Sequence, residues 1–136
     1  MQIAILGIGS IGGVLLGALS DTDAELVAVA RGESSRMLSQ AGLVLHTPEG
    51  AIEVIPSERF VTVDSEAGPL PAGLRGSCAA ALVCGKANST PILAQIVEEL
   101  LSEDGVAASL QNGMGHAEIL ANRLGKERVL GGTTTH

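Results

Sequence analysis

The sequence predicts an α/β fold built on a doubly wound, mostly parallel sheet. Three observations predict it. Apolar runs of strand length alternate along the chain with segments of helical apolar spacing. Those runs are continuous, as in strands buried on both faces. The first of them passes into a helix through Gly7-Ile8-Gly9-Ser10-Ile11-Gly12, a strand–glycine turn–helix sequence. Residues 1–136 read as a single domain.

The elements follow in order. Ile3–Leu6 forms the first strand. Ile11, Val14, Leu15, Ala18 and Leu19 then give the next helix one apolar face, at i, i+3, i+4, i+7 and i+8. Asp21-Thr22-Asp23 breaks that pattern, and Leu26–Ala30 is the second strand, so a βαβ unit fits within residues 2–30. A short helix spans Glu33–Gln40 and ends near Gly42. Leu43–Leu45 and Ala51–Ile55 flank the turn sequence Thr47-Pro48-Glu49-Gly50 and read as a small hairpin. Phe60–Val63 is a further strand, and residues 64–77, rich in glycine and proline, form a loop.

Cys78–Cys84 resumes the buried-strand character. Thr90 is placed to cap a helix with Pro91 at its first position. Ile92, Leu93, Ile96, Val97, Leu100 and Leu101 line its apolar face, while Glu98, Glu99 and Glu103 point to solvent. Val106–Leu110 is the next strand, Gly115–Leu124 a helix stopped by Gly125, and Arg128–Leu130 enters the last strand.

Each glycine of the first turn has a physical task. Gly7 permits the tight turn out of the strand. Gly9 lets the backbone approach a pyrophosphate, and Gly12 lets the helix pack closely on the strand. Gly7, Ile8, Gly9, Ser10, Ile11 and Gly12 are together the candidate phosphate cradle, aided by the free N–H groups of the helix start. This Rossmann-like unit calls for a dinucleotide. NAD-binding sites commonly place an acid after the second strand, on the ribose hydroxyl. Here Arg31 stands there, 19 residues after Gly12. Its guanidinium can hold a 2′-phosphate through two charge-assisted hydrogen bonds, whereas a carboxylate would repel it. NADP is therefore the expected cofactor. Ser34 and Ser35 either add hydroxyl bonds to the same phosphate or cap the following helix.

Composition excludes several classes. A net charge of −7 argues against a nucleic-acid surface. No apolar run reaches the ~18 residues of a membrane span, and Met1-Gln2 leads directly into a strand without a signal peptide. No membrane partner and a cytoplasmic location are expected. Cys78 and Cys84 are expected to stay reduced, Cys84 as a small buried hydrophobe. Without a neighbouring His cluster they make no zinc site, so no metal is expected. Phe60 is the sole aromatic residue, which leaves the core to aliphatic side chains.

Three further segments stand at strand ends, where such sheets bind ligands: Gly85-Lys86-Ala87, Gln111-Asn112-Gly113-Met114-Gly115 and Thr133–His136. With Ile5–Gly12, Val29-Ala30-Arg31-Gly32 and Val129–His136, in this order and spacing, they resemble the N-terminal cofactor domain of the ketopantoate reductase (2-dehydropantoate 2-reductase) family. The likeness covers essentially the whole chain. It implies that residues 7–12 hold the NADP pyrophosphate and Arg31 its 2′-phosphate. It also implies that Lys86 lies beside the cofactor ribose, and that Asn112 contacts both the nicotinamide side and a small 2-oxo acid substrate. The implied reaction is NADPH-dependent reduction of 2-dehydropantoate to pantoate, in pantothenate and coenzyme A biosynthesis.

The chain departs from the family at Gly85, where a larger apolar residue is usual. In the family a second, helical domain follows and supplies the proton-donating lysine and an acidic partner. No catalytic residue is therefore assigned within residues 1–136, and the chain alone is expected not to turn over. His116 is expected to be structural, in the first turn of its helix. A homo-oligomer through the apolar surface that would face the second domain is an expectation of the same kind. Two alternatives stand beside this reading: a non-catalytic nucleotide-sensing regulatory module, and an NADP dehydrogenase for another 2-oxo acid.

Overall fold

Six parallel strands are the frame of the computed structural model, which describes residues 1–85, 90–111 and 115–131. They are β1 (Gln2–Leu6), β2 (Glu25–Ala30), β5 (Phe60–Asp64), β6 (Cys78–Val83), β7 (Leu101–Ser109) and β8 (Val129–Gly131). Their order is β5-β2-β1-β6-β7-β8, so the chain works outward from β1 on one side and then restarts at β6 on the other. A separate antiparallel pair, β3 (Leu43–His46) and β4 (Ile52–Ile55), is the expected hairpin.

The strands are apolar at consecutive positions because both faces are covered. Ala4 and Leu6 of β1 and Val27 and Val29 of β2 face one core, shared with Leu93, Val97 and Leu100 of helix α3 (Thr90–Leu100) and Leu120 of helix α4 (His116–Leu124). Ile5 of β1 and Leu26 and Ala28 of β2 face the other, with Leu16 of helix α1 (Ser10–Leu19) and Leu38 of helix α2 (Gly32–Ala41). Phe60, the lone aromatic, is buried in that second core.

Helix α1 packs through a different stripe from the one its spacing predicts. Val14 and Ala18 are exposed, and the buried residues are Gly12, Gly13, Leu16 and Gly17. The reason is close approach. A Cβ on Gly12 would strike the Gly7 carbonyl, and one on Gly17 would strike Leu45 of the hairpin. Glycine counts as blank in a hydrophobic pattern, yet here it lets the hairpin and the first turn lie directly on the helix backbone.

Other boundaries move by physical causes of the same kind. Strand β7 begins at Leu101, so Leu101 and Glu103 belong to it and not to the preceding helix. A register shift places Leu101 beside Cys78 but Val106 beside Ala80, and a Cβ on the intervening Gly105 would lie 2.8 Å from the Cys78 carbonyl. Thr90 is the first residue of α3, with its hydroxyl engaged away from the helix end by Gln111 and His116. Arg31 occupies the N-cap position of α2 with no side-chain cap, so Ser34 and Ser35 are not capping residues. Among the described residues, no helix is long and apolar enough to cross a membrane.

Candidate functional site

Parallel strands end at one edge of the sheet with their last carbonyls facing the loops that follow. Backbone bonds carry the ladder one step further here. The Gly7 N–H donates to the Val29 carbonyl (2.9 Å), the Cys84 N–H to Leu6 (2.7 Å) and the Ser65 N–H to Ala30 (2.8 Å). The segments after β1, β2, β5 and β6 thus converge on a cleft of about 290 Å³ above the point where strand order reverses. In sheets of this kind that point is the ligand crevice.

The first turn builds one wall. Gly7 has φ +91°, a conformation open to glycine at little cost, and a Cβ there would lie 2.5 Å from the Gly85 Cα. Gly12 is held against Gly7 by the contact already described. Gly9 is different. Its φ is −101°, and a Cβ added to it would meet none of the described residues beyond its own chain neighbours and helix within 4 Å. Neither backbone conformation nor packing among the described residues demands glycine there. The residue caps α1, whose first turn holds no acid and whose start no side chain caps. The first N–H groups of the helix are therefore available to an anion.

Arg31 and Ser34, which follow β2, also line the cleft. Arg31 is exposed and makes no ion pair or hydrogen bond among the described residues, because Glu33, its nearest acid in sequence, pairs with Arg36. Asp64, at the end of β5, sends Oδ1 to the Glu66 N–H (2.9 Å) and the Gly32 N–H (3.4 Å).

Of the residues expected to hold the cofactor, the structure brings Gly7, Ile8, Gly9 and Arg31 into one cleft. Ser10, Ile11 and Gly12 form the first turn of α1 behind it and do not line it. Lys86 and Asn112 lie outside the described residues, as do Ala87, Gly113, Met114 and residues 132–136. Three lining residues have no place in the motif reading: Ser65, Cys84 and Leu93. Ser65 was legible only as the residue following a strand that proves to neighbour β2. Cys84 is half-buried, and that burial pushes its thiol up to about 11, so it stays protonated and uncharged at neutral pH.

Behind the β6 and β7 ends lies a set of buried polar groups that the motif reading did not join. Gln111 Nε2 donates to the Gly85 carbonyl and to Thr90 Oγ1, both at 2.8 Å. His116, the first residue of α4, is buried and pairs through Nδ1 with Thr90 Oγ1 at 3.1 Å.

Fold and cleft together define an α/β domain of the doubly wound, Rossmann-like class. Within that class the chain belongs to the ketopantoate reductase PanE/ApbA family, whose model matches residues 3–136. It is 25% identical to a 2-dehydropantoate 2-reductase of Halobacterium salinarum, over all of this chain and 42% of that protein. It is 26% identical to the Bacillus subtilis oxidoreductase YkpB, over 97% of this chain and 40% of that one. Among solved structures, a D-mandelate dehydrogenase with NADH and anilino(oxo)acetate superposes at a TM-score of 0.82, with 19% identity over 98% of this chain and 40% of its own. The 2-dehydropantoate 2-reductase of Geobacter metallireducens gives 0.71 at 26% identity, over 96% and 40%. The chain thus spans about 40% of the length of these relatives.

Proposed function

We propose that this chain is the NADP-binding part of a ketopantoate reductase-like oxidoreductase, reducing 2-dehydropantoate to pantoate. Gly9 carries the reading. A glycine that no packing among the described residues requires, at the uncapped start of a helix and on the wall of a cleft, suits a ligand whose phosphates must touch the backbone. The groups fit the coenzyme in order across the cleft. The glycine turn and helix N-terminus would take the pyrophosphate, and the Arg31 guanidinium, unpaired among the described residues, the 2′-phosphate. When bound, the dihydronicotinamide supplies the hydride. Asn112, by the family likeness, would orient the nicotinamide side and the 2-oxo acid, and Lys86 the ribose. An amide suits such a place because it donates and accepts without bringing charge to the hydride path.

Two observations favour a second reading, in which a related 2-oxo acid is reduced with NADH. Asp64 brings a carboxylate to the start of α2, beside the space assigned to the 2′-phosphate, and the D-mandelate dehydrogenase that this fold resembles holds NADH. Thermal unfolding in saturating NADPH or NADH separates the two. A ligand at a hundred times its Kd stabilises by about 2.7 kcal/mol. We expect that order of protection from NADPH and much less from NADH. Equal protection would overturn the NADP assignment, and protection by neither would overturn the nucleotide reading.

A further inference from the structure

Four buried polar side chains meet where β6 and β7 end and α3 and α4 begin: Thr90, Ser109, Gln111 and His116. The Gly85 carbonyl can only accept, which fixes the end of the Gln111 amide that faces it. Both amide N–H groups are then used, on Gly85 and Thr90, and Oε1 accepts from Ser109 Oγ at 3.1 Å. Thr90 passes the chain on to His116. Burying this many polar atoms is costly unless every partner is in place, and an apolar cluster would close the same gap without that demand. The network therefore does something packing alone would not. It binds four separate elements together, and it ends on a peptide that lines the cleft, that of Gly85.

The position of that peptide matters because of the sheet order. A dinucleotide lies across the reversal point, one half over each set of strands. Arg31 follows β2, so the adenosine half belongs to the β1-β2-β5 side and the nicotinamide half to the β6-β7-β8 side. We infer that Gln111, backed by Thr90, is a positioning residue for the nicotinamide half, holding the Gly85 peptide in the cleft wall. This rests on the nucleotide reading above.

The test compares two probes on the full chain by calorimetric titration. NADPH spans both halves, whereas adenosine 2′,5′-bisphosphate carries only the adenosine side. Gln111→Met keeps side-chain length and loses the hydrogen bonds. It should weaken NADPH about tenfold, the equivalent of one buried hydrogen bond, and leave the bisphosphate unchanged. Thr90→Val should act in the same direction, and Thr90→Ser should restore binding. If Gln111→Met does not fold, the Thr90→Val and Thr90→Ser pair decides by the same readout. Unchanged NADPH affinity in the folded variants, or equal loss of both probes, would overturn the inference and leave the network purely structural. Wild-type chain that binds neither probe would overturn the nucleotide reading, and this inference with it.

Discussion

Gly7 and Gly85 meet backbone to backbone: a Cβ on Gly7 would stand 2.5 Å from the Gly85 Cα and from its nitrogen. The contact joins the turn after β1 to the end of β6 across the reversal of strand order. It gives a reason for a glycine turn that is separate from phosphate binding.

That contact predicts different effects for alanine at two glycines only two residues apart. Gly7→Ala faces both an obstructing backbone and a φ of +91°, and should cost about 2–4 kcal/mol of stability in a urea melt. Gly9→Ala meets open space and should cost ~1 kcal/mol or less. Its NADPH affinity should nevertheless fall at least about tenfold, because the methyl group would occupy ligand space. Retained affinity in Gly9→Ala would remove the main support for the nucleotide reading.

The strand–turn–helix opening, the hairpin and the alternation of elements were legible because each rests on local pattern. What was not legible rests on contacts distant in sequence. The buried face of α1 is lined by Gly12, Gly13 and Gly17, which no hydrophobic scale marks as core. The start of β7 at Leu101 depends on its pairing with Cys78, more than 20 residues earlier. Gln111, Thr90 and His116 look like unrelated polar residues until the ends of β6 and β7 lie side by side. Motif spacing found the first wall of the cleft, while Ser65, Cys84 and Leu93 joined it only through sheet order.

Arg59 is a further residue visible only in the fold. Its guanidinium donates to three carbonyls of the turn between α1 and β2: Ser20 (3.0 Å), Ala24 (3.0 Å) and Thr22 (2.6 Å). Arg59→Ala leaves those acceptors to water and unpins the turn. Stability should fall by about 1–3 kcal/mol, with coenzyme affinity unchanged below the melting range. A fall in affinity without a fall in stability would contradict this structural role.

Cys84 makes the protein sensitive to alkaline pH in a defined direction. Its thiol sits at about 11 in the folded state, raised by burial from an ordinary 9.0. Between these values the unfolded chain has lost the proton and the folded chain has kept it. Stability linked to this group is thus fully present below pH 9, and it declines as pH rises toward 11. Cys84→Ala should flatten that part of the stability–pH curve, as read by chemical denaturation across the range. Iodoacetamide should also label Cys84 more slowly at pH 8 in the folded chain than in urea, since the thiolate is the nucleophile.

Arg31 should set coenzyme choice without affecting the fold. It is exposed and unpaired among the described residues, so Arg31→Ala should change stability by ~0.5 kcal/mol or less. Losing charge-assisted bonds worth about 1.5–3 kcal/mol should weaken NADPH roughly 10–100-fold and leave NADH nearly unaltered. Competition titrations with both coenzymes read this directly. The paired variant Asp64→Asn should favour NADPH further, by removing the carboxylate at the start of α2. If Arg31→Ala left the preference intact, the NADP assignment would fail.

Binding and turnover should separate in the 136-residue chain. Reducing a ketone requires a proton for the developing alkoxide as well as a hydride, and a missing acid costs orders of magnitude in rate. Among the described residues lining the cleft, Arg31 and Cys84 are the only ones with titratable side chains. The Cys84 thiol is pushed up to about 11, so it keeps its proton at pH 7. The Arg31 guanidinium is suited to holding a phosphate. The chain of residues 1–136 should therefore bind NADPH, measured by its fluorescence, yet oxidise none of it when 2-dehydropantoate is added. Steady loss of absorbance at the dihydronicotinamide band, dependent on the 2-oxo acid, would place a working acid within these residues and refute the prediction.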